Sequence, residues 1–254
     1  MEQGMNLYRL NPRYAHMIVD AIVEGYRDYI EIRKKYRNSM AISSAFAWTK
    51  SNFIEHKVAE RARSFGFHFK RAKAGMTWDY LQFVHDDDKL MFVIKDAAYF
   101  LPTGFTQSRL PNPLLPSSSQ RTYLQELSRL NQHILFSDDQ KEPSFVFDEE
   151  LWQGEFDLGL EQNQKSPAAD FFAHIHEFHI LTYALDAHHQ MSEIMHYLPN
   201  PEDNVAHIVE DLSPLITDAE LSEEDRRIFV PDEDEYMRYI AEFEALADGA
   251  DKPE

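Results

Sequence analysis

The sequence predicts an α+β protein: N-terminal helices, then a small antiparallel sheet, then a second lobe with a β-hairpin and a C-terminal amphipathic helix. Three observations lead there. Apolar residues recur at three- and four-residue steps through the first 65 positions. Short β-rich runs separated by Gly and Asp turns follow up to residue 95. Two further β-rich runs flank a polar turn between residues 178 and 198.

The first helix is expected from Pro12 to about Arg37, because Tyr14, Met17, Ile18, Ala21, Ile22 and Tyr26 mark one helical face. Its last turn carries Arg33, Lys34, Lys35 and Arg37, which suits the negative end of the helix dipole. A second helical region, from about Ser43 to Phe65, stops at Gly66 and has a break near Thr49 to Ser51. Phe53, Ile54, Val58 and Ala62 point inward on this reading, and Glu55, Lys57, Glu60 and Arg61 outward. Phe67 to Arg71, Thr77 to His85 and Lys89 to Lys95 then read as a three-strand meander, broken at Ala74-Gly75 and Asp86-Asp87-Asp88.

Residues 103–120 are rich in proline and serine and read as a linker. A helix over Tyr123, Leu124, Leu127 and Leu130 follows, with Ser118 or Ser119 as its cap. A strand is expected near Phe145 to Phe147. Phe178 to Leu185 and Met191 to Leu198 form the hairpin, connected by Asp186 to Gln190. Glu233 to Asp248 is the tail helix, with Met237, Ile240, Phe243 and Leu246 on its apolar face. The resulting units are 1–102, basic helices and meander; 103–120, linker; 121–230, the hairpin-containing lobe; and 231–254, the acidic tail.

With 43% apolar and 13% aromatic residues in 254, the chain can bury a sizeable core. There is no cysteine, so disulfides, thiolate catalysis and sulfur-ligated zinc are excluded. No window approaches the roughly 18 uninterrupted apolar residues of a membrane helix. The opening Met1-Glu2-Gln3-Gly4 lacks a signal-peptide pattern. The expectation is a cytoplasmic protein with no membrane attachment.

The formal net charge of −19 is unevenly distributed. Residues 1–75 hold fourteen Lys or Arg against seven Asp or Glu, and the remainder holds eleven against thirty-seven. Residues 200–254 alone carry eighteen acids and four bases. Such an exterior disfavours nucleic acid and favours a basic protein partner. The basic strip of Arg33, Lys34, Lys35 and Arg37, continued by Arg61, Arg63, Lys70, Arg71 and Lys73, is the one region suited to phosphates; otherwise it faces the chain's own acidic part or an acidic partner.

Six histidines lie between 174 and 196, and imidazole clusters bind transition metals. His174, His176, His179 and His196 are the candidate ligands of a divalent metal, with Glu177 and Asp186 completing the set. The spacing His176-Glu177-Phe178-His179 is one residue short of the His-Glu-x-x-His pair. A second candidate centre combines Glu55 or Glu60 on a helix, Asp79 on a strand and Lys95 at the end of Phe92-Val93-Ile94-Lys95. That order loosely resembles the PD-(D/E)xK nucleases, although Val93 stands where their second acid is expected. Asp86-Asp87-Asp88 is a further place for magnesium. Phosphate-binding and dinucleotide-binding glycine loops are absent, so no nucleotide cofactor is indicated.

Two functions follow. The first is an interaction or regulatory protein whose acidic surface binds a basic partner, such as the DNA-binding member of a toxin-antitoxin or mobile-element pair, with Met237, Ile240, Phe243 and Leu246 and the basic strip as contact residues. The alternative is a metal-dependent hydrolase or nuclease built on His174 to His196 or on Asp79 and Lys95.

Overall fold

A computed structural model describes residues 6–37, 46, 49–74, 78–105, 122–136 and 174–229. Helix α1 spans Pro12–Arg37, as the apolar spacing requires, and buries Ile18, Ile22, Tyr26, Tyr29 and Ile30. Helix α2 spans Lys50–Ala62 and passes through a 3-10 turn, Arg63–Phe65, to Gly66. Gly66 has φ +87°, the left-handed conformation that ends helices and costs any other residue strain. The break expected near Thr49 is where α2 begins.

The meander follows as β1 (Phe67–Ala74), β2 (Trp78–His85) and β3 (Leu90–Asp96), paired antiparallel in sequence order. After a short helix α3 (Tyr123–Ser128), the hairpin appears as β4 (Glu177–Leu185) and β5 (Met191–Pro199). A strand that the sequence reading does not contain, β6 (Ala206–Asp211), pairs with β5, and a four-residue helix, Glu223–Arg226, lies beyond it. The cap of α3 is Thr122, not Ser118 or Ser119. Its hydroxyl accepts from Gln125 N–H while the Gln125 side chain accepts from Thr122 N–H, a reciprocal pair of bonds.

The α+β class holds, and the sheet is single. Its order is β1-β2-β3-β4-β5-β6, with every contact antiparallel except the parallel pairing of β3 with β4. The hairpin assigned to a second lobe therefore extends the meander edge to edge. Helices α1 and α2 cover one face, on which Phe83, Phe92, Leu181 and Ile194 are buried. Helix α3 and the 97–105 segment cover the other, over Val84, Met91, Val93, Phe178 and Ile180. Covering both faces explains why β3 reads as a continuous apolar run rather than an alternating one.

Helices α1 and α2 approach most closely at Gly25. A Cβ there would lie 2.6 Å from Ile54 Cα and 2.8 Å from Phe53 O, so only glycine lets the two backbones meet. Among the described residues, no helix is long and apolar enough to cross a membrane. The strand expected at Phe145 to Phe147 and the tail helix with Met237, Ile240, Phe243 and Leu246 lie outside the described residues.

Candidate functional site

Strand β2 pairs with β3 only from Phe83–His85 across to Leu90–Phe92, whereas β3 continues against β4 as far as Asp96. Past that point the two strands are no longer paired, and polar side chains gather there. Glu55, expected to face solvent on α2, is buried at 8% exposure, a correction to the helical-face reading. The reason is local: its Oε2 accepts the Leu81 N–H at 3.1 Å, beyond the last β2–β3 pair. Burial pushes the Glu55 carboxyl up to about 8, against the smaller opposing effects of the Leu81 hydrogen bond and the charge of Lys95. At neutral pH it is a carboxylic acid.

Lys95 is half-buried, and its Nζ donates to the Tyr123 hydroxyl at 2.7 Å. Burial lowers its pKa, while Glu55 and Asp96 act in the other direction. The rings of Tyr123 and Tyr80 lie 4.7 Å apart, and the Tyr80 hydroxyl accepts from Gln82 Nε2 at 2.9 Å. Both phenols are raised in pKa, first by burial. Gln82 is fully buried, and its Oε1 has no hydrogen-bond partner. Of the nuclease-like set, the structure thus brings Glu55 and Lys95 within electrostatic reach of each other. Asp79 is exposed on β2 opposite Lys73, and Glu60 is exposed and paired with Lys57 at 3.0 Å.

The histidine cluster divides. Strand β4 begins at Glu177, so His174 and His176 precede it and do not share a strand face with His179. His174 is exposed, with Nε2 3.5 Å from Asp86, and the His176 ring lies edge-on to His133 at 6.2 Å. His179 and His196 are instead buried on neighbouring strands, with Nδ1 of His179 2.8 Å from Nε2 of His196. Glu177 closes one end, 3.2 Å from His179 Nε2, and Glu210 the other, 2.9 Å from His196 Nδ1. Glu210 also accepts the Leu10 N–H at 3.0 Å, tying the segment just before α1 to β6.

Burial lowers His196 to about 4, more than its bond to Glu210 raises it, so this ring is neutral. Its Nδ1–H then donates to Glu210, and its Nε2 accepts from His179 Nδ1–H. Burial pushes the Glu210 carboxyl up, but the hydrogen bonds it accepts from His196 and from the Leu10 N–H help to hold it below its ordinary value. The four side chains form one hydrogen-bonded row across β4, β5 and β6. Among the described residues, no group of three or more His, Asp or Glu is arranged to hold a metal ion. Asp186, the other acid proposed there, instead holds the β4–β5 turn through the N–H groups of His188 and Gln190. Asp86 and Asp88 face His68, His174 and His85 around the β2–β3 turn.

The basic strip of α1 meets the chain's own C-terminal part. Lys34 Nζ reaches Asp225 Oδ1 at 2.7 Å, an Arg33 N–H donates to Ile228 O at 3.1 Å, and Arg37 donates to Arg227 O. Arg27, two turns before Lys34 on α1, donates to the carbonyls of Asp218 and Glu220. Lys35 lies over the Tyr36 ring, 5.2 Å from its centroid. No family model matches the chain, and no curated protein or solved structure is significantly similar to it.

Sequence reasoning missed Tyr80, Gln82, Tyr123 and Glu210. A glutamine in the middle of the apolar run Leu81 to Val84 was the available signal for Gln82, since a polar residue inside a doubly covered strand needs a partner. Glu210 carried none, because β6 itself was not legible.

Proposed function

We propose that this chain is an interaction protein that presents an acidic exterior to a basic protein partner, of the DNA-binding kind. The observation that carries this reading is the engagement of its cations by its own chain. Arg27, Arg33, Lys34 and Arg37 are held by residues 218–228, Lys50 pairs with Asp96 at 2.7 Å, Lys57 with Asp28 at 3.0 Å, and Arg61 with Glu24. Meanwhile Glu202, Asp203, Asp211, Asp218, Glu220, Glu223 and Glu224 are exposed. With these seven cations so occupied, a chain of net charge −19 projects a negative field. Such a field raises the rate of encounter with a basic protein and repels polyanions.

The test is a set of binding isotherms between the purified chain and small basic DNA-binding proteins of the same cell, at low ionic strength and at about 0.5 M salt, where the Debye length falls below roughly 5 Å. A partner bound tightly at low salt is expected to weaken steeply at high salt, and also on charge reversal of Glu220, Glu223 and Glu224 to lysine. Binding indifferent to both, or preferential binding of nucleic acid, would refute the reading.

A further inference from the structure

Several side-chain hydrogen-bond donors gather in the gap where β2 and β3 cease to pair. The Lys95 ammonium has three N–H groups and gives one to Tyr123. The Tyr123 and Tyr80 hydroxyls, each already accepting a bond, keep a proton with no described partner. Glu55, neutral at pH 7, adds an O–H. Among the described residues of the gap, the buried side-chain oxygen without a partner is Gln82 Oε1. The charge balance points the same way. Lys34, Lys50 and Lys57 each rest on a carboxylate at 2.7 to 3.0 Å, whereas Lys95 rests on a phenol. Lys95 and Tyr123 are only half-buried, so solvent reaches the site.

We propose that the gap between β2 and β3 binds the oxyanion of a small ligand, a carboxylate or phosphate group, held by Lys95, Tyr123 and Tyr80. An anion there supplies the acceptors that the donors lack and the counter-charge that Lys95 lacks. Binding then depends on the charge of Lys95. The groups facing Lys95 are Glu55 from α2, Asp96 beside it on β3, Tyr123 from α3 and the uncharged Thr182 opposite it on β4. Asp96 is already occupied by Lys50 and by the Ala98 N–H. Burial disfavours the ammonium and a bound anion favours it, so binding weakens once the pH is high enough to deprotonate Lys95.

Isothermal titration of the full chain with inorganic phosphate, and separately with acetate, reads the affinity. Saturable binding is expected from at least one anion, and which of them binds separates a phosphate site from a carboxylate site. Lys95→Met should weaken it at least tenfold, roughly the effect of losing one charge-assisted hydrogen bond. Tyr123→Phe should weaken it several-fold, and Lys57→Met, on the surface of α2, should leave it unchanged. Circular dichroism checks that Lys95→Met folds; if it does not, Tyr123→Phe decides. The proposal falls if neither anion binds saturably, or if binding survives in a folded Lys95→Met or is untouched by Tyr123→Phe.

Discussion

Glu55→Gln should stabilise the fold at neutral pH and leave it almost unchanged near pH 4. The carboxyl is 8% exposed, has a pKa of about 8 in the folded chain and 4.5 as its ordinary value. Between those values the folded chain retains a proton that the unfolded chain has released. Stability attributable to Glu55 is therefore fully present below about pH 4.5 and is lost progressively as pH rises to about 8. At about 1.4 kcal/mol per pH unit, the loss reaches about 3 kcal/mol by pH 7. Glutamine keeps an oxygen for the Leu81 N–H and cannot ionise, so the variant escapes the loss. Urea unfolding of both chains at several pH values between 4 and 8 measures this, since the difference between them at each pH cancels the other titrating groups. The expected difference grows with pH in favour of glutamine. A difference that does not vary with pH would show that Glu55 ionises normally, as a buried ion pair with Lys95, and would refute the assignment of a neutral acid.

Two further outcomes test the packing around the site. Gly25→Ala forces apart backbones that a Cβ would approach to 2.6 Å, and should cost on the order of 1–3 kcal/mol in denaturant unfolding, whereas Gly104→Ala, whose Cβ would meet nothing closer than a side chain at 3.9 Å, should be tolerated. Asn131→Ala removes a fully buried amide that accepts from Phe178 N–H and donates to Phe178 O and Pro199 O at 2.8 to 2.9 Å. Leaving those groups unpaired should cost about 3 kcal/mol or more and accelerate hydrogen exchange at Phe178.

The elements that local chemistry controls were legible in the sequence. Helix α1 was readable because an unbroken apolar face repeats over seven turns, and the ends of the hairpin because β-rich runs flank a polar turn. Gly66 was readable because a left-handed helix end selects glycine. The class of the fold and the opposed charges of its two ends follow from such local and additive properties. Only the tertiary structure decided that the hairpin joins the meander, because a parallel pairing between β3 and β4, more than eighty residues apart, leaves no periodic mark. The same holds for the polar sites. Glu55 sits where a helical wheel expects solvent, and becomes buried because the β2–β3 ladder stops and its Leu81 N–H needs an acceptor. His174 and His176 are near His179 in sequence but not on its strand, whereas His196 and Glu210 reach it across the sheet register. Sequence spacing reports neighbours along the chain, and the chemistry here is assembled from neighbours across it.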